Sequence, residues 1–360
     1  MSDQLSLGLL ALILGIAVGT LAFLPYVAMS YRRHGRLTAG RTGLAFALLV
    51  YFLAIWTYTL LPLPDPDEIR CTTPQLNPWV LVEDLGTAAA SGSPLTNPAF
   101  LQIALNVLLF LPLGFFVRLI WHRGWVTATL VGFALSLLIE TTQLTGVWGI
   151  YPCAYRLFDV EDLITNTLGA LLGGILSLAI PLRLRARSGE VDDARAPRPV
   201  SAARRLVGMT CDVLSVVLGS LAVGVILSLV DFLITGGDVS VDAAFWYQLA
   251  GNMVPLAVTL AYMLLRGRTI GNDAVQLQYV GARMPVVWSR LVRFLGGIGG
   301  YQLLSLLPDP WSLSVPALVL VSFVLVFTTK GHRGLPGLLS GQRLVDSRTP
   351  VKAERALERA

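Results

Sequence analysis

Long apolar runs dominate the chain. A membrane-spanning helix requires roughly 20 mostly apolar residues, and this window predicts about nine spans. They cover residues 5–29, 43–61, 99–120, 125–144, 163–182, 206–234, 244–265, 291–307 and 313–329. In a polar loop, Val275, Leu277 and Tyr279 alternate with glutamines, which predicts a short strand that residues 344–345 could pair with. We therefore predict an all-α polytopic membrane protein with a small cytoplasmic strand-like element.

The composition agrees with this interpretation. The chain has 360 residues, of which 54% are hydrophobic and only 14% are charged, whereas soluble domains carry about 25% charged residues. With a mean hydropathy of +0.68, these values exclude an ordinary soluble globule and a disordered chain. The net charge is +5, but the polar segments hold no basic run interleaved with aromatic residues, so we expect no nucleic-acid partner.

The distribution of charges predicts an orientation. Arginines collect in the loops after the first, third, fifth and seventh predicted spans and in the C-terminal tail, while the other loops are acidic or poor in basic residues. Because Lys and Arg favour the cytoplasmic side, we predict a multi-pass plasma-membrane protein with its N-terminus outside and its C-terminus in the cytoplasm. Asp3 is the only charged residue before the first span, and the basic n-region of a signal peptide is missing, so we expect a retained helix rather than a cleaved signal peptide.

A stretch rich in Arg, Asp and Pro interrupts the apolar pattern and predicts a flexible linker between two membrane domains. The predicted regions are an extra N-terminal transmembrane helix with a basic inner loop (1–42), a first membrane domain (43–182), the linker (183–200), a second membrane domain (201–348) and a charged cytoplasmic tail (349–360). Glycines at four-residue spacing, such as Gly169 and Gly173, favour close helix packing, either within the chain or in a dimer.

Two of the three cysteines, Cys71 and Cys153, fall in loops predicted to lie outside. An oxidising compartment permits a disulfide between them, and two unpaired thiols are the alternative. Cys211 lies in the sixth predicted span. Since no Cys or His set has the spacing of metal ligands, we expect no metal and no cofactor.

Polar residues concentrate near the outer side of the first membrane domain. They are Asn106, Glu140, Gln143, Arg156, Asp159, Asp162 and Asn166. Glu140 and Gln143 share one helix face, and a charge at the bilayer centre costs about 2.5–3.5 kcal/mol. Asp159 suits a helix N-cap, Asp162 suits the first turn, and Glu140 could simply pair with Arg156. The functional interpretation is an outward pocket for membrane lipids or a cell-wall or lipid-linked precursor.

Three ordered motifs carry a family resemblance. They are Asn106-Val-Leu-Leu-Phe-Leu-Pro-Leu-Gly114, Glu140-Thr-Thr-Gln143 and Arg156-Leu-Phe-Asp-Val-Glu-Asp-Leu-Ile-Thr-Asn-Thr-Leu-Gly169. About residues 50–181 thereby resemble a VanZ-like domain. The resemblance implies a bacterial cell-envelope role, since the family includes proteins tied to low-level resistance to a glycopeptide antibiotic, but it implies no reaction.

The second membrane domain resembles an RDD domain, over about residues 201–347. Arg205 and Asp212 are seven residues apart, so they share a helix face, and Arg290 opens the eighth predicted span. The RDD family is named for one Arg and two Asp, but Pro336 and Gly337 stand where its closing His and Asp are usual. The resemblance implies transport of ions or solutes, which the missing acid argues against. An Arg205–Asp212 ion pair with a purely structural role is the alternative.

Three functions follow as hypotheses. The first is lipid or glycolipid binding at the cell envelope, the second is ion or solute transport, and the third is a membrane scaffold that presents the basic segment 266–285. An enzyme has little support, because the chain has no nucleophile elbow and no phosphate-binding glycine loop. Catalytic residues and the oligomeric state stay unassigned.

Overall fold

The computed structural model describes residues 2–65, 69–90, 96–121, 124–179, 196–236, 241–281, 284–308 and 310–349. Most of the predicted linker and almost all of the predicted tail lie outside these residues. The described chain forms 14 helices and one two-stranded sheet, so the predicted all-α polytopic fold is confirmed.

The elements follow one another in two series. The first comprises α1 (Ser2–His34), α2 (Ala39–Leu60), α3 (Val80–Ala90), α4 (Pro98–Trp121), α5 (Trp125–Leu144), the single turn α6 (Gly146–Gly149) and α7 (Val160–Leu176). The second comprises α8 (Ala202–Thr235), α9 (Val241–Arg266), α10 (Ile270–Ala274), β1 (Leu277–Val280), α11 (Val286–Leu295), α12 (Ile298–Leu304), α13 (Ser314–Thr328), α14 (Gly334–Ser340) and β2 (Arg343–Asp346).

Seven described helices are long and apolar enough to cross a membrane, namely α1, α2, α4, α5, α7, α8 and α9. The other two predicted spans form shorter helices. Residues 291–307 are divided between α11 and α12, since Gly296 and Gly297, both poor helix formers, separate them. The apolar α13 has 15 residues. Many large apolar side chains on the long helices are exposed, as lipid contact requires.

The chain divides into two compact units. Unit 1 comprises Met1–Ile16 and Ala47–Glu190, and unit 2 comprises Ala17–Phe46 and Val191–Ala360. Each unit therefore contains part of α1 and part of α2.

In unit 1, α4 and α5 pack on α7 through glycines. A Cβ atom at Gly173 would lie 1.8 Å from the carbonyl oxygen of Leu111, and one at Gly169 would lie 2.3 Å from that of Val107. Small residues let helix backbones approach closely where lipid gives little hydrophobic drive for association. For this glycine pair, the structure shows packing within the chain.

In unit 2, the predicted strand pairing is confirmed. β1 and β2 are antiparallel, with Leu277 opposite Asp346 and Tyr279 opposite Leu344. An isolated two-stranded sheet is only marginally stable in water. Here the buried side chains of Leu277 and Leu344 join a core with Val27 of α1. The sheet is thus held by helices rather than by its own hydrogen bonds alone.

Candidate functional site

A polar stripe runs along one face of α5. Ser136, Glu140 and Gln143 occupy positions i, i+4 and i+7 and are all buried, Glu140 being only 2% exposed. The backbone N–H of Asp159 donates to Oε2 of Glu140 at 3.0 Å. Nε2 of Gln143 donates to the carbonyl oxygen of Thr59 at 2.8 Å. The stripe therefore connects α5 to the start of α7 and to the end of α2.

The start of α7 supplies the opposite wall. Asp159 is the N-cap, and its Oδ1 accepts from the backbone N–H of Glu161 at 2.8 Å, which is the capping role predicted for it. Burial raises the pKa of Asp159, the hydrogen bond from Glu161 opposes this shift, and the negative charge of Asp84 adds to it. Asp162, in the first turn, accepts from Nδ2 of Asn106 on α4 at 2.6 Å.

Asn166 lies one turn after Asp162, on the same face of α7. Its Nδ2 donates to Oγ of Ser136 at 3.0 Å. The side chain is 96% buried, since 4% of its surface is exposed, and its Oδ1 has no hydrogen-bond partner among the described residues. A buried amide oxygen without a donor is costly, so this atom is an acceptor available to a bound molecule.

Arg156 turns to the end of α2. Its Nη1 donates to the carbonyl oxygen of Thr59 at 2.9 Å and its Nη2 to that of Leu61 at 2.7 Å. The last carbonyls of a helix lack intrahelical partners and attract cations. Within the described part of the chain, Arg156 and Glu140 do not form the ion pair that was the structural alternative.

The segment before α7 is tied to the long loop that follows α2. Cys71 and Cys153 form a disulfide with their Cα atoms 5.6 Å apart. Beyond it, the backbone N–H of Gln75 donates to the carbonyl oxygen of Phe158 at 2.8 Å, and that of Val160 donates to the carbonyl oxygen of Gln75 at 3.1 Å. These bonds position the N-cap of α7 beside α5.

A cavity of about 490 Å³ opens between α2, α4, α5 and α7. Six of the seven predicted polar residues line it, namely Asn106, Glu140, Gln143, Arg156, Asp162 and Asn166, together with apolar residues such as Leu105, Leu108 and Ile139. Asp159 is the exception, and it contacts the cavity wall through Glu140. We call this the acidic pocket.

Tyr51 is a lining residue that the sequence analysis missed. Its hydroxyl donates to the carbonyl oxygen of Leu109 at 2.6 Å and accepts from the N–H of Leu113 at 3.1 Å. It therefore lies between two groups that would otherwise bond to each other within α4. Pro112, which lacks an N–H, already interrupts the helix there. A proline inside a predicted span was the available signal.

Unit 2 contains a second cavity, of about 120 Å³, which Arg205 and Asp212 both line. They do not form an ion pair with each other in the described structure. Nη1 of Arg205 donates to Oδ1 of Asn272 at 2.5 Å, and Oδ1 of Asp212 accepts from the N–H of Gly271 at 2.6 Å. Both therefore hold α10. Arg290 lies outside this lining and donates to the carbonyl oxygen of Leu264.

The neighbouring arginine, Arg204, does form an ion pair. Nη1 of Arg204 lies 2.8 Å from Oδ2 of Asp346 in β2, and both side chains are buried. Burial raises the pKa of Asp346, but hydrogen bonds from the side chain and backbone of Arg348, with the charge of Arg204, hold it well below its usual range. Nothing in the local pattern distinguishes Arg204 from Arg205, so the sequence analysis missed this pair.

Metal-ligating side chains do not cluster in the described ranges: no three His, Cys, Asp or Glu are placed to hold an ion. A family model described as VanZ/LLP1 matches residues 48–181. Among the curated proteins and the solved structures compared, none matches the chain. The comparison gives no support for an RDD domain in the second half of the chain. The acidic pocket thus lies within the segment, residues 48–181, that the VanZ/LLP1 family model matches.

Proposed function

We propose that the VanZ/LLP1 domain binds the headgroup of a cell-envelope lipid in the acidic pocket, and that the preferred headgroup is rich in hydroxyl groups, as in a glycolipid or a lipid-linked cell-wall precursor. The observation that carries the proposal is the set of buried hydrogen-bond acceptors between apolar walls. Polar and ionisable groups at membrane depth are costly unless they pair or bind something.

The hydrogen-bond inventory favours a ligand that donates. Asn106, Gln143 and Arg156 use donors on neighbouring acceptors of the protein itself. Oδ1 of Asn166 has no partner in the described structure, and the described residues donate one hydrogen bond to Glu140, at Oε2. Sugar hydroxyls donate to such carboxylate and amide oxygens.

The walls suit an acyl chain. Leu105 and Leu108 of α4 line the pocket and have exposed side chains. A lipid bound with its headgroup against Glu140 could therefore extend its chain along α4 into the bilayer. This combination of a few placed polar groups with apolar walls is typical of small-molecule sites.

We place the pocket at the outer surface of the plasma membrane. The disulfide between Cys71 and Cys153 supports this side, because disulfides persist in oxidising compartments. The acidic outer loops and basic inner loops support it as well. A reporter fused after Ala360 that is active only outside the cell would contradict the orientation.

Direct binding tests the proposal. The full chain in nonionic detergent is mixed with a glucosyl diacylglycerol or with a diacylglycerol of identical chains, and retained lipid is measured by native mass spectrometry. We expect retention of the glycolipid only, and its loss in Glu140→Gln and Asp162→Asn. Glu83→Gln, which removes an exposed carboxylate of the same charge from α3, is the matched control and should bind normally. Equal retention of both lipids would refute the proposal.

A role in glycopeptide tolerance is the cellular form of this proposal. Deletion should change glycopeptide sensitivity and the envelope lipid profile, and Glu140→Gln at normal abundance should reproduce the deletion. If the deletion changes both while the variant behaves as the unmodified protein, the pocket has no part in the effect. Transport and scaffolding remain predictions from the sequence.

We also propose that residues 201–347 are a divergent RDD-like domain, supported by the shared cavity of Arg205 and Asp212. Gly337 stands where the family's second acid is usual. A Cβ atom there would lie 2.6 Å from Cβ of Arg333 and 3.0 Å from the ring of Tyr279, so a carboxylate does not fit. Restoring it as Gly337→Asp should lower the thermal unfolding temperature; an unchanged temperature would argue that the acid is compatible.

A further inference from the structure

The small cavity of unit 2 has an unusual charge balance. Its lining includes the guanidinium groups of Arg205 and Arg293 and the carboxylate of Asp212, so two cationic groups face one anionic group. The two arginines are only 5% and 4% exposed. In the described structure neither arginine forms an ion pair, whereas Arg204 in the same unit has Asp346. Burying a charge without a partner is expensive.

The two guanidinium groups converge on one aromatic ring. The Cζ atoms of Arg205 and Arg293 lie 5.7 Å and 5.0 Å from the ring centre of Tyr279. The hydroxyl of Tyr279 donates to the carbonyl oxygen of Arg333 at 2.7 Å, which fixes the ring. Cation–π contacts compensate part of the desolvation, but a neutral ring does not neutralise two charges.

The arginines at the cavity have hydrogen-bond donors that the protein does not use fully. Nη1 of Arg205 donates to Asn272, but its Nε is buried with no acceptor among the described residues. Nη1 of Arg293 donates to the carbonyl oxygen of Gly267, and its Nε donates to that of Ser289. Burial lowers the pKa of Arg293, and the nearby charge of Arg290 lowers it further. A bound anion would oppose this lowering of the pKa, because a nearby negative charge favours the protonated guanidinium.

The part of the lining that α13 supplies is mostly apolar and reaches the surface of that helix. Leu318, Val319 and Val326 line the cavity with the hydroxyl-bearing Ser322, and the side chain of Val319 is exposed. The volume, about 120 Å³, is comparable with an apolar cavity of about 150 Å³ that accepts benzene. It therefore has room for a compact headgroup, and a longer chain would leave along α13.

We propose that this cavity binds the oxyanion headgroup of a singly charged amphiphile, a carboxylate or a phosphate ester on an apolar chain, held by Arg205 and Arg293. The single net positive charge of the lining groups matches one negative charge. The guanidinium fork matches the geometry of carboxylate and phosphate oxygens, and Ser322 supplies a further hydroxyl donor. The site is separate from the acidic pocket and does not depend on its function.

Titration calorimetry on the full chain in nonionic detergent tests this site. The probes are octanoate, octanol and octylammonium, which share a chain and differ in charge, and lysophosphatidylglycerol beside lysophosphatidylcholine. We expect octanoate or lysophosphatidylglycerol to bind and the neutral, cationic and zwitterionic probes to bind at least about tenfold more weakly. Binding of octanoate identifies a free carboxylate as sufficient, and binding of lysophosphatidylglycerol alone identifies a phospholipid headgroup.

The variants assign the binding to the cavity. Arg205→Gln and Arg293→Gln should each weaken anion binding by about tenfold or more, and Val319→Phe should block it from an exposed position on α13. Arg268→Gln is the control, since Arg268 pairs with Asp273 and neither residue lines the cavity. Equal binding of octanol and octanoate, no binding of either anion by the folded protein, or anion binding that Arg293→Gln and Val319→Phe leave unchanged would each overturn the proposal.

Discussion

The acidic pocket of unit 1 and the cationic cavity of unit 2 compensate buried charge in different ways. In unit 1, the carboxylates of Glu140 and Asp159 accept backbone N–H groups, and Asp162 accepts an amide. In unit 2, Arg205 and Arg293 rest on the ring of Tyr279. The unit 1 carboxylates accept one or two N–H groups each and retain further acceptor capacity, whereas a guanidinium with five donors needs more acceptors than one ring and a few carbonyls supply. We therefore expect the two sites to prefer different ligands, a hydrogen-bond donor in unit 1 and an anion in unit 2.

The largest expected loss of stability comes from breaking the buried ion pair between Arg204 and Asp346 in unit 2. Asp346→Ala leaves Arg204 buried without its partner, which should cost about 3–5 kcal/mol of unfolding free energy, measured by denaturation in detergent. Asp273→Asn breaks the partly exposed pair with Arg268 and should cost about 1 kcal/mol or less. Equal effects would mean that burial does not distinguish these pairs.

The lowered pKa of Asp346 also predicts how the stability of the protein depends on pH. The pKa of Asp346 is lowered in the folded protein, so its contribution to stability is full above the unfolded value of about 3.9 and is lost as the pH falls through the lower folded value. The stability difference between the protein and Asp346→Asn should therefore be constant near neutral pH and shrink in acid. A difference that grows in acid would contradict the ion pair.

Removing the disulfide tests how much it contributes to the stability of unit 1. Replacing Cys71 and Cys153 by Ser opens a link between residues 82 apart in sequence and should destabilise unit 1 by about 2–4 kcal/mol, through greater freedom of the unfolded chain. Cys211→Ser, at a free and buried thiol, is the control for cysteine replacement and should leave the mass shift on reduction intact. An unchanged stability of the double variant would show that the backbone bonds around Gln75 suffice.

Helix packing in unit 1 gives a smaller effect. Gly173→Ala adds a Cβ atom 1.8 Å from the carbonyl oxygen of Leu111, so α4 and α7 must separate, at a cost of about 1–3 kcal/mol. Gly86→Ala in α3, where a Cβ atom meets nothing within 4 Å, should be neutral or slightly stabilising because alanine favours helix. Thermal unfolding of both variants measures the contrast; the same loss in both would remove the packing explanation.

The smallest expected change in stability distinguishes the helix-capping role of Asp159 from a role of its negative charge. Asp159→Asn keeps a good N-cap, whereas Asp159→Ala removes it at a cost of about 1 kcal/mol. Because burial raises the pKa of Asp159, the charged form is disfavoured in the folded state, and Asp159→Asn should be at least as stable as the unmodified protein at pH 7. The advantage should disappear as the pH falls below the unfolded value of about 3.9. A less stable Asn variant at pH 7 would show that the charge itself is needed.

Features that depend on local patterns were predicted from the sequence. Apolar periodicity identified the long helices, alternation identified β1, and the capping preference of Asp159 identified the start of α7. The polar cluster was also visible, because carboxylates inside an apolar run are rare. The break at Gly296 and Gly297 was not predicted, since hydropathy averages over a window and does not register two glycines.

Which side chains pair with one another could not be predicted from local sequence patterns. Arg204 and Arg205 are adjacent and identical, yet one pairs with Asp346 and the other rests on Tyr279, because successive helix residues point about 100° apart. The sequence made an ion pair between Arg156 and Glu140 plausible. In the structure, Arg156 donates instead to backbone carbonyl oxygens at the end of α2.

The sequence by itself indicated a membrane protein, the approximate bounds of most of its long apolar helices, and the polar residues that require an explanation. Those properties follow from transfer free energies and local hydrogen bonding, which depend on residue type and spacing. Only the tertiary structure decided that Oδ1 of Asn166 has no hydrogen-bond partner among the described residues, that Tyr51 enters the hydrogen bonds of α4, and that Arg205 and Arg293 share one cavity. These depend on which distant groups meet after packing, and packing is a property of the whole fold.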